Sequence, residues 1–394
     1  MPTHRPTINP ALLAWARSSL NLTEDQAAKR LGVSLDALRG WEKGDPFPTI
    51  AQLRAAAEKY RRPLGVFFLS TPPPDPTPPH DFRTVAGKDD EALSAELVVE
   101  LRRAHQRREV ALELLGELER RPPRLHLRVQ LDDDPEQAGK RVRQALGVRL
   151  TEQQKWREGG AFNGWKAVIE AHGVLAFQAR GVSYQEVRGF SLAEHPLPVI
   201  VVNGSDFPNA KTFTLLHEFV HLLLHLGGIC DPFGHVVRGR TRNSRVEVFC
   251  NHVAAAVLVP ASSLVNHASV VANEHPEGWT DAVLERIARD FGVSTLVVVR
   301  RLLTLGRTTE RFYKQYHARA IARAEKHRQE RPSQESGPPR AVMVVADLGR
   351  GFTSTVLDAY RGRLITASDV SEYLRVRVRQ IGAVQERLHL GAGE

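Results

Sequence analysis

The chain has 394 residues, 42% of them hydrophobic and 25% charged, a globular composition long enough for two or three domains and incompatible with wholesale disorder. Its two cysteines, Cys230 and Cys250, exclude a disulfide framework and a zinc site built from four thiolates. No signal-peptide-like apolar core opens the sequence and no apolar run is long enough to span a bilayer, so it reads as a soluble cytoplasmic protein with no membrane partner. Lys and Arg number 54 against 45 Asp and Glu, a net +9 that is modest for this length and fits nucleic-acid contact without establishing it.

The first 70 residues read as short helices. Leu12 to Leu20 carries one apolar stripe, and Thr23-Glu-Asp-Gln26 forms a capping box that opens a second helix through Arg30. Gly32-Val33 makes a tight turn, Ser34 caps a third helix from Leu35 to about Trp41, and a fourth runs from Ile50 to Tyr60. Two short helices joined by a glycine turn match the helix-turn-helix plan. The string AAKRLGVSLDALRGWEKG resembles the XRE/Cro-like repressor family, which implies a recognition helix starting at Leu35. On that resemblance Gln26, Leu35, Asp36 and Arg39 face base edges and Lys43 meets phosphate; Arg39 suits bidentate contact with guanine. The competing reading is a helical protein-interaction module, since residues 1–70 hold ten Lys and Arg against six Asp and Glu.

Six prolines among Thr71 to His80 make a semi-rigid spacer. A long charged helix pattern follows at about Leu93 to Leu118. Gly173 to Gln178 and Leu197 to Asn203 read as strands. Arg331 to Arg340 is a second polar, Pro-rich break, and Ala341 to Ala346 beyond it is a strand candidate. The order of elements predicts α+β, mostly helical: a helix-turn-helix bundle, a domain with a small sheet, and a helical C-terminal extension. The corresponding division is 1–70, a linker at 71–90, a domain at 91–330, a linker at 331–340 and a segment of unknown role at 341–394.

The sharpest chemical signal is Thr212 to His225, which contains His217, Glu218 and His221 in an HExxH. On a helix, positions i and i+4 lie one above the other, so both imidazoles reach one ion at about 2.0–2.1 Å. Glu218 is poorly placed as a ligand and suits the role of base toward a water activated by the ion. Leu215, Leu216, Phe219, Val220 and Leu222 to Leu224 make this helix apolar nearly all round, so its polar residues need a partner such as a metal. His225 fits a hydrogen-bond donor behind the ligands, or the helix end, better than a ligand. A third ligand belongs on a later helix, Arg245 to Pro260, where Glu247 is the favoured carboxylate and Cys250, one turn on, the rival.

The pattern T-L-x-H-E-x-x-H-L-L-L-H, followed by the Glu247 helix and Pro260, resembles the ImmA/IrrE family of zinc-dependent metallopeptidases. Val199 to Asn203, Pro63 to Leu69 and Asp81-Phe82-Arg83 are similar to segments of members that carry an N-terminal XRE domain. The resemblance, covering about Leu12 to Ile381, implies a zincin-like domain with His217, His221 and Glu247 as metal ligands and Glu218 as general base. The chain departs from the family at Val220, usually Gly, and at Phe249, Cys250 and Val253; none of these removes a ligand.

Within Gly278 to Leu303 a second helix, Gly-Val-Ser, helix plan occurs. Its apolar run Leu296 to Val299 favours a structural buttress over a second DNA reader using Arg300 and Arg301. His317 to Arg331 reads as a solvated basic helix. The functional expectation is a regulatory metallopeptidase fused to a DNA-binding domain, using Zn2+ or Mn2+. Its partners would be DNA and a protein substrate such as a repressor or toxin, in a stress-response, mobile-element or toxin-antitoxin setting, and a homodimer is compatible with this. The alternative is an XRE-type regulator or antitoxin whose metal site is structural or ligand-sensing.

Overall fold

A computed structural model of the chain describes residues 5–73, 93–156, 160–225, 228–230, 242–329 and 339–390. Most of the proline spacer, Asp81-Phe82-Arg83 and most of the second break lie outside these residues. The chain divides into two units, the first comprising Met1–Pro78 with Gly87–Gln106 and the second Pro79–Ala86 with Arg107–Glu394.

In the first unit α1 (Pro10–Ser18), α2 (Glu24–Leu31), α3 (Leu35–Lys43) and α4 (Ile50–Tyr60) are followed by a 3-10 turn at Leu64–Phe68. Local chemistry sets most of the boundaries. Asn9, Thr23, Ser34 and Thr49 each accept a backbone N–H at a helix start, while Gly32 and Gly44 adopt left-handed φ at helix ends. Leu12, Leu13, Leu20, Leu38, Leu53, Tyr60 and Phe67 form the core. Arg17 grips Glu42 through two hydrogen bonds of 2.8 and 2.9 Å, locking α1 to α3. Helix α5 (Ala95–Glu117) contributes Ala95, Val98 and Val99 to this core.

The second unit continues through α6 (Pro135–Ala145), α7 (Leu150–Lys155) and α8 (Ala161–Ala171) into a small mixed sheet. Its strands are β1 (Leu175–Ala179), β2 (Gly189–Leu192), β3 (Val199–Asn203) and β4 (Gly228–Cys230), in the order β1-β3-β2-β4. β1 runs parallel to β3 with Leu175 opposite Val199, while β2 runs antiparallel to both β3 and β4. β1, β2 and β3 are buried along their whole length. Helix α9 (Pro208–Leu223) packs on β2 and β3, and α10 (Arg242–Leu258) packs against α9 and α6.

Short helices α11 (Ala261–Val265) and α12 (Ala268–Val271) lead to α13 (Asp281–Phe291), α14 (Thr295–Thr304) and α15 (Glu310–Gln329). The second Gly-Val-Ser turn is structural. Arg301 is buried, donating to the Val259 carbonyl at 3.0 Å and to Glu136 at 2.9 Å, and Val297 to Val299 enter the core.

The strand expected at Ala341 to Ala346 is a helix, α16 (Arg340–Leu348), followed by α17 (Arg350–Arg361), α18 (Ala367–Leu374) and α19 (Ile381–Leu390). An apolar, β-branched run of six suits either state; here the ordered stretch extends for nine residues from Pro339 to a positive-φ Gly349 and packs on β1 and α19. Lys166 and Gln178 both donate to the Ala346 carbonyl, at 2.7 and 2.8 Å, and Arg180 forks onto Asp347 at 2.6 and 2.9 Å. Burial pulls the Lys166 ammonium below its ordinary pKa, which the nearby Glu170 and Asp347 partly offset. The C-terminal helices are thus an integral wall of the second unit.

The approach of α6 to α10 depends on Gly139, where a Cβ would lie 2.5 Å from the Ala256 Cβ. In an open helix Gly→Ala stabilises by about 1 kcal/mol. Here overpacking, worth roughly 1–3 kcal/mol, opposes it. Gly139→Ala should therefore lower the thermal midpoint of the second unit in a calorimetric scan; a raised midpoint contradicts this packing.

Candidate metal centre

Helix α9 starts with Pro208 at its first turn and ends at Leu223, after which His225 turns the chain with φ 56°. Every residue from Thr214 to Leu223 is buried. Such a helix has no polar face to offer water, so the positions of His217, Glu218 and His221 are set by packing. The i, i+4 spacing brings the two Nε2 atoms to 3.0 Å.

Glu247 arrives on α10. Its Oε2 lies 3.3 Å from His217 Nε2 and its Oε1 lies 3.2 Å from His221 Nε2. Ligand atoms of these three residues all fall within 4.8 Å of one another, the sole such group among the described residues. Tetrahedral ligands about 2.0–2.1 Å from an ion sit roughly 3.3 Å apart, so the observed separations are close to the edges of a coordination polyhedron. Two imidazoles and a carboxylate form a donor set suited to zinc or another borderline cation, and three protein ligands leave a fourth position open.

The electrostatics point the same way. Burial raises the Glu247 carboxyl, yet hydrogen bonds from His217 and His221, with their charge, outweigh it and hold the group far below the usual carboxylate range. For His221 burial favours the neutral ring, but Cys250 and Glu247 outweigh it and raise the pKa well above the ordinary value. The cluster therefore attracts positive charge, as protons or as a metal.

Glu218 points from the same helix into a different environment. It is fully buried, and neither carboxyl oxygen has a hydrogen-bond partner among the described residues. Burial raises its pKa, with His221 and His217 pulling against that shift. The buried Ser191 hydroxyl on β2 lies close enough to favour the carboxylate slightly, but outside hydrogen-bond geometry. Two residues away on the same strand face is Gly189, where a Cβ would lie 2.6 Å from Thr214 Cγ2 and 3.4 Å from Glu218 Cγ. A glycine here lets α9 press against β2. Neither Gly189 nor Ser191 emerged from the sequence, because β2 has only four residues and no period can be read from so short a run.

Cys250 is buried beside His221 but does not belong to the three-residue group. His225 is exposed and pairs instead with His195 at 3.3 Å. Val220, the departure noted in the motif, is fully buried in the hydrophobic core.

In the first unit Gln26, Asp36, Arg39 and Lys43 are exposed, and Leu35 is half-buried. Gln26 accepts the Thr23 N–H at 2.9 Å through its amide oxygen, and Arg39 Nε donates to Glu24 at 2.8 Å. Any base contact by Arg39 must displace that exposed ion pair, which is worth little in water.

If Glu247 completes the ligand set, Glu247→Ala should lose stoichiometric metal while Cys250→Ala keeps it. Elemental analysis of the purified variants decides: metal retained without Glu247, or lost without Cys250, contradicts the assignment.

Residues 169–303 match the model of the M78 peptidase family described as the IrrE N-terminal-like domain, and residues 13–67 match a helix-turn-helix model. Comparison with curated proteins gave no match. Among the described residues no helix is long and apolar enough to cross a membrane. The segment holding His217, Glu218, His221 and Glu247 is therefore an IrrE N-terminal-like domain of the M78 peptidase family, joined in one chain to a DNA-binding helix-turn-helix domain.

Proposed function

We propose that this chain is a cytoplasmic regulatory zinc peptidase that cleaves a partner protein, such as a repressor or toxin, under the direction of its DNA-binding domain. The observation that carries the reading is the meeting of two imidazoles and a carboxylate distant in sequence, beside a buried carboxyl group that has no hydrogen-bond partner among the described residues. In this reading residues 1–70 bind DNA, residues 91–330 carry the peptidase, and residues 341–394 brace it.

His217, His221 and Glu247 would hold the ion. When bound, zinc supplies Lewis acidity toward a peptide carbonyl and lowers the pKa of water. Glu218 accepts the proton from the attacking water and returns it to the leaving amine as the carbon–nitrogen bond breaks. Its burial raises the pKa, which suits a group that must both take up a proton and return it. The wall formed by Ser191 and Gly189 on β2 fixes its position. An extended substrate segment suits the edge of the sheet on the β2 side, where β4 is outermost, because backbone pairing holds a peptide without demanding one sequence.

Glu218→Gln preserves the size of the side chain and removes the base. It should retain metal yet lose peptide hydrolysis by a factor of about 10²–10⁴, and with it the regulatory output of the protein in cells. A Gln variant that regulates normally, with metal bound, would mean that the site does not act by proteolysis.

A further inference from the structure

Charge is distributed very unevenly along this chain. Residues 300–329 contain nine Lys and Arg against two Glu, whereas the remaining 364 residues carry 45 basic against 43 acidic side chains. Seven of the nine net positive charges thus fall at the end of α14 and along α15. The modest excess read from whole-chain composition conceals a local concentration.

The structure separates these residues into two groups. Arg301 is buried and committed to Glu136 and the Val259 carbonyl, and Arg300 lies 5.2 Å over the Tyr313 ring. Phe312 and Tyr316 are buried and seat the first half of α15 against the core. Arg311, Lys314, Arg319, Arg323 and Lys326 are all exposed. At about 100° per residue these five occupy roughly half of the circumference, and at about 1.5 Å per residue they extend over roughly 22 Å. That length matches the axial rise of about six phosphates along one DNA strand.

The ion pairs of Lys314 and Arg323 are replaceable. Lys314 lies 3.6 Å from Glu310 and Arg323 lies 2.7 Å from Asp281, with all four side chains at least a third exposed. Exposed pairs of this kind contribute little in water and yield readily to phosphate. Arg319 sits 5.6 Å over the Tyr316 ring, which restrains the guanidinium.

We propose that this face of α15 is a second DNA contact, one that grips the phosphate backbone without reading sequence. A row of cations along one helix matches a linear polyanion, and phosphate contacts position a protein without specifying bases. DNA is favoured over an acidic protein because the helix-turn-helix domain shares the chain. Once that domain is bound, tethering turns the second contact into an intramolecular event at high effective concentration.

The test uses the full-length protein and a short random-sequence duplex, with affinity measured by fluorescence anisotropy across a salt series. The triple variant Arg311→Gln, Lys314→Gln, Arg319→Gln removes three exposed charges and leaves the buried Phe312 and Tyr316 in place, so its thermal midpoint should stay nearly unchanged. Each lost phosphate contact lowers the slope of log affinity against log salt by about 0.9, so the slope should shrink by roughly 2.7. An unchanged slope overturns the proposal. So does a variant that loses capture by poly-glutamate while keeping the parental DNA slope, since the ridge would then serve an acidic protein.

Discussion

The centre of this protein depends on the cost of placing ionisable groups where water cannot reach them. His217 and Glu218 are fully inaccessible and His221 nearly so. Between Leu215 and Leu223 the other positions of their helix are all Leu, Phe and Val. An isolated charge in such surroundings is strongly disfavoured, and two ring nitrogens 3.0 Å apart need a proton or a cation between them. A divalent ion held by His217, His221 and Glu247 would answer both demands at once. It would offset the desolvation of Glu247 and leave Glu218 outside the ligand set.

Much of the surrounding architecture can be understood as support for that geometry. The close approach of α9 to β2 over Gly189 positions Glu218, and the close approach of α6 to α10 over Gly139 helps set where Glu247 arrives. From the other side, Lys211 on α9 donates to Gln178 on β1 at 2.9 Å, and Gln178 donates to the Ala346 carbonyl on α16. This short relay joins the first turns of the metal helix to the C-terminal helices. Glu170 on α8 accepts the Arg350 N–H at 3.1 Å and so caps α17. The segment that had no chemistry in the sequence is bound into the second unit by buried polar contacts.

What the sequence revealed is what depends on local chemistry. The capping boxes at Thr23 and Thr49, the Ser34 cap and the left-handed Gly32 specify the N-terminal helices from neighbouring residues alone. The HExxH is equally local, since i, i+4 spacing on a helix suffices to pair two rings. Glu247 was legible only as a carboxylate on a suitably placed helix, because its arrival depends on packing between helices. β2 and β4 are too short to show a pattern, and the apolar run at Ala341 to Ala346 carries no feature that separates a strand from a buried helix. The second Gly-Val-Ser turn shows the limit from the other direction. Its local signals are those of a DNA reader, but burial of Arg301 against Glu136 makes it part of the core.

The most direct examination of this account is X-ray absorption spectroscopy at the metal edge of the purified, unmodified protein. Two imidazole nitrogens and one carboxylate oxygen predict a first shell of light atoms at about 2.0–2.1 Å with imidazole outer-shell scattering. A sulfur shell at about 2.3 Å would instead identify Cys250 as a ligand. That result, or a protein that takes up no divalent metal at all, would contradict the proposed centre.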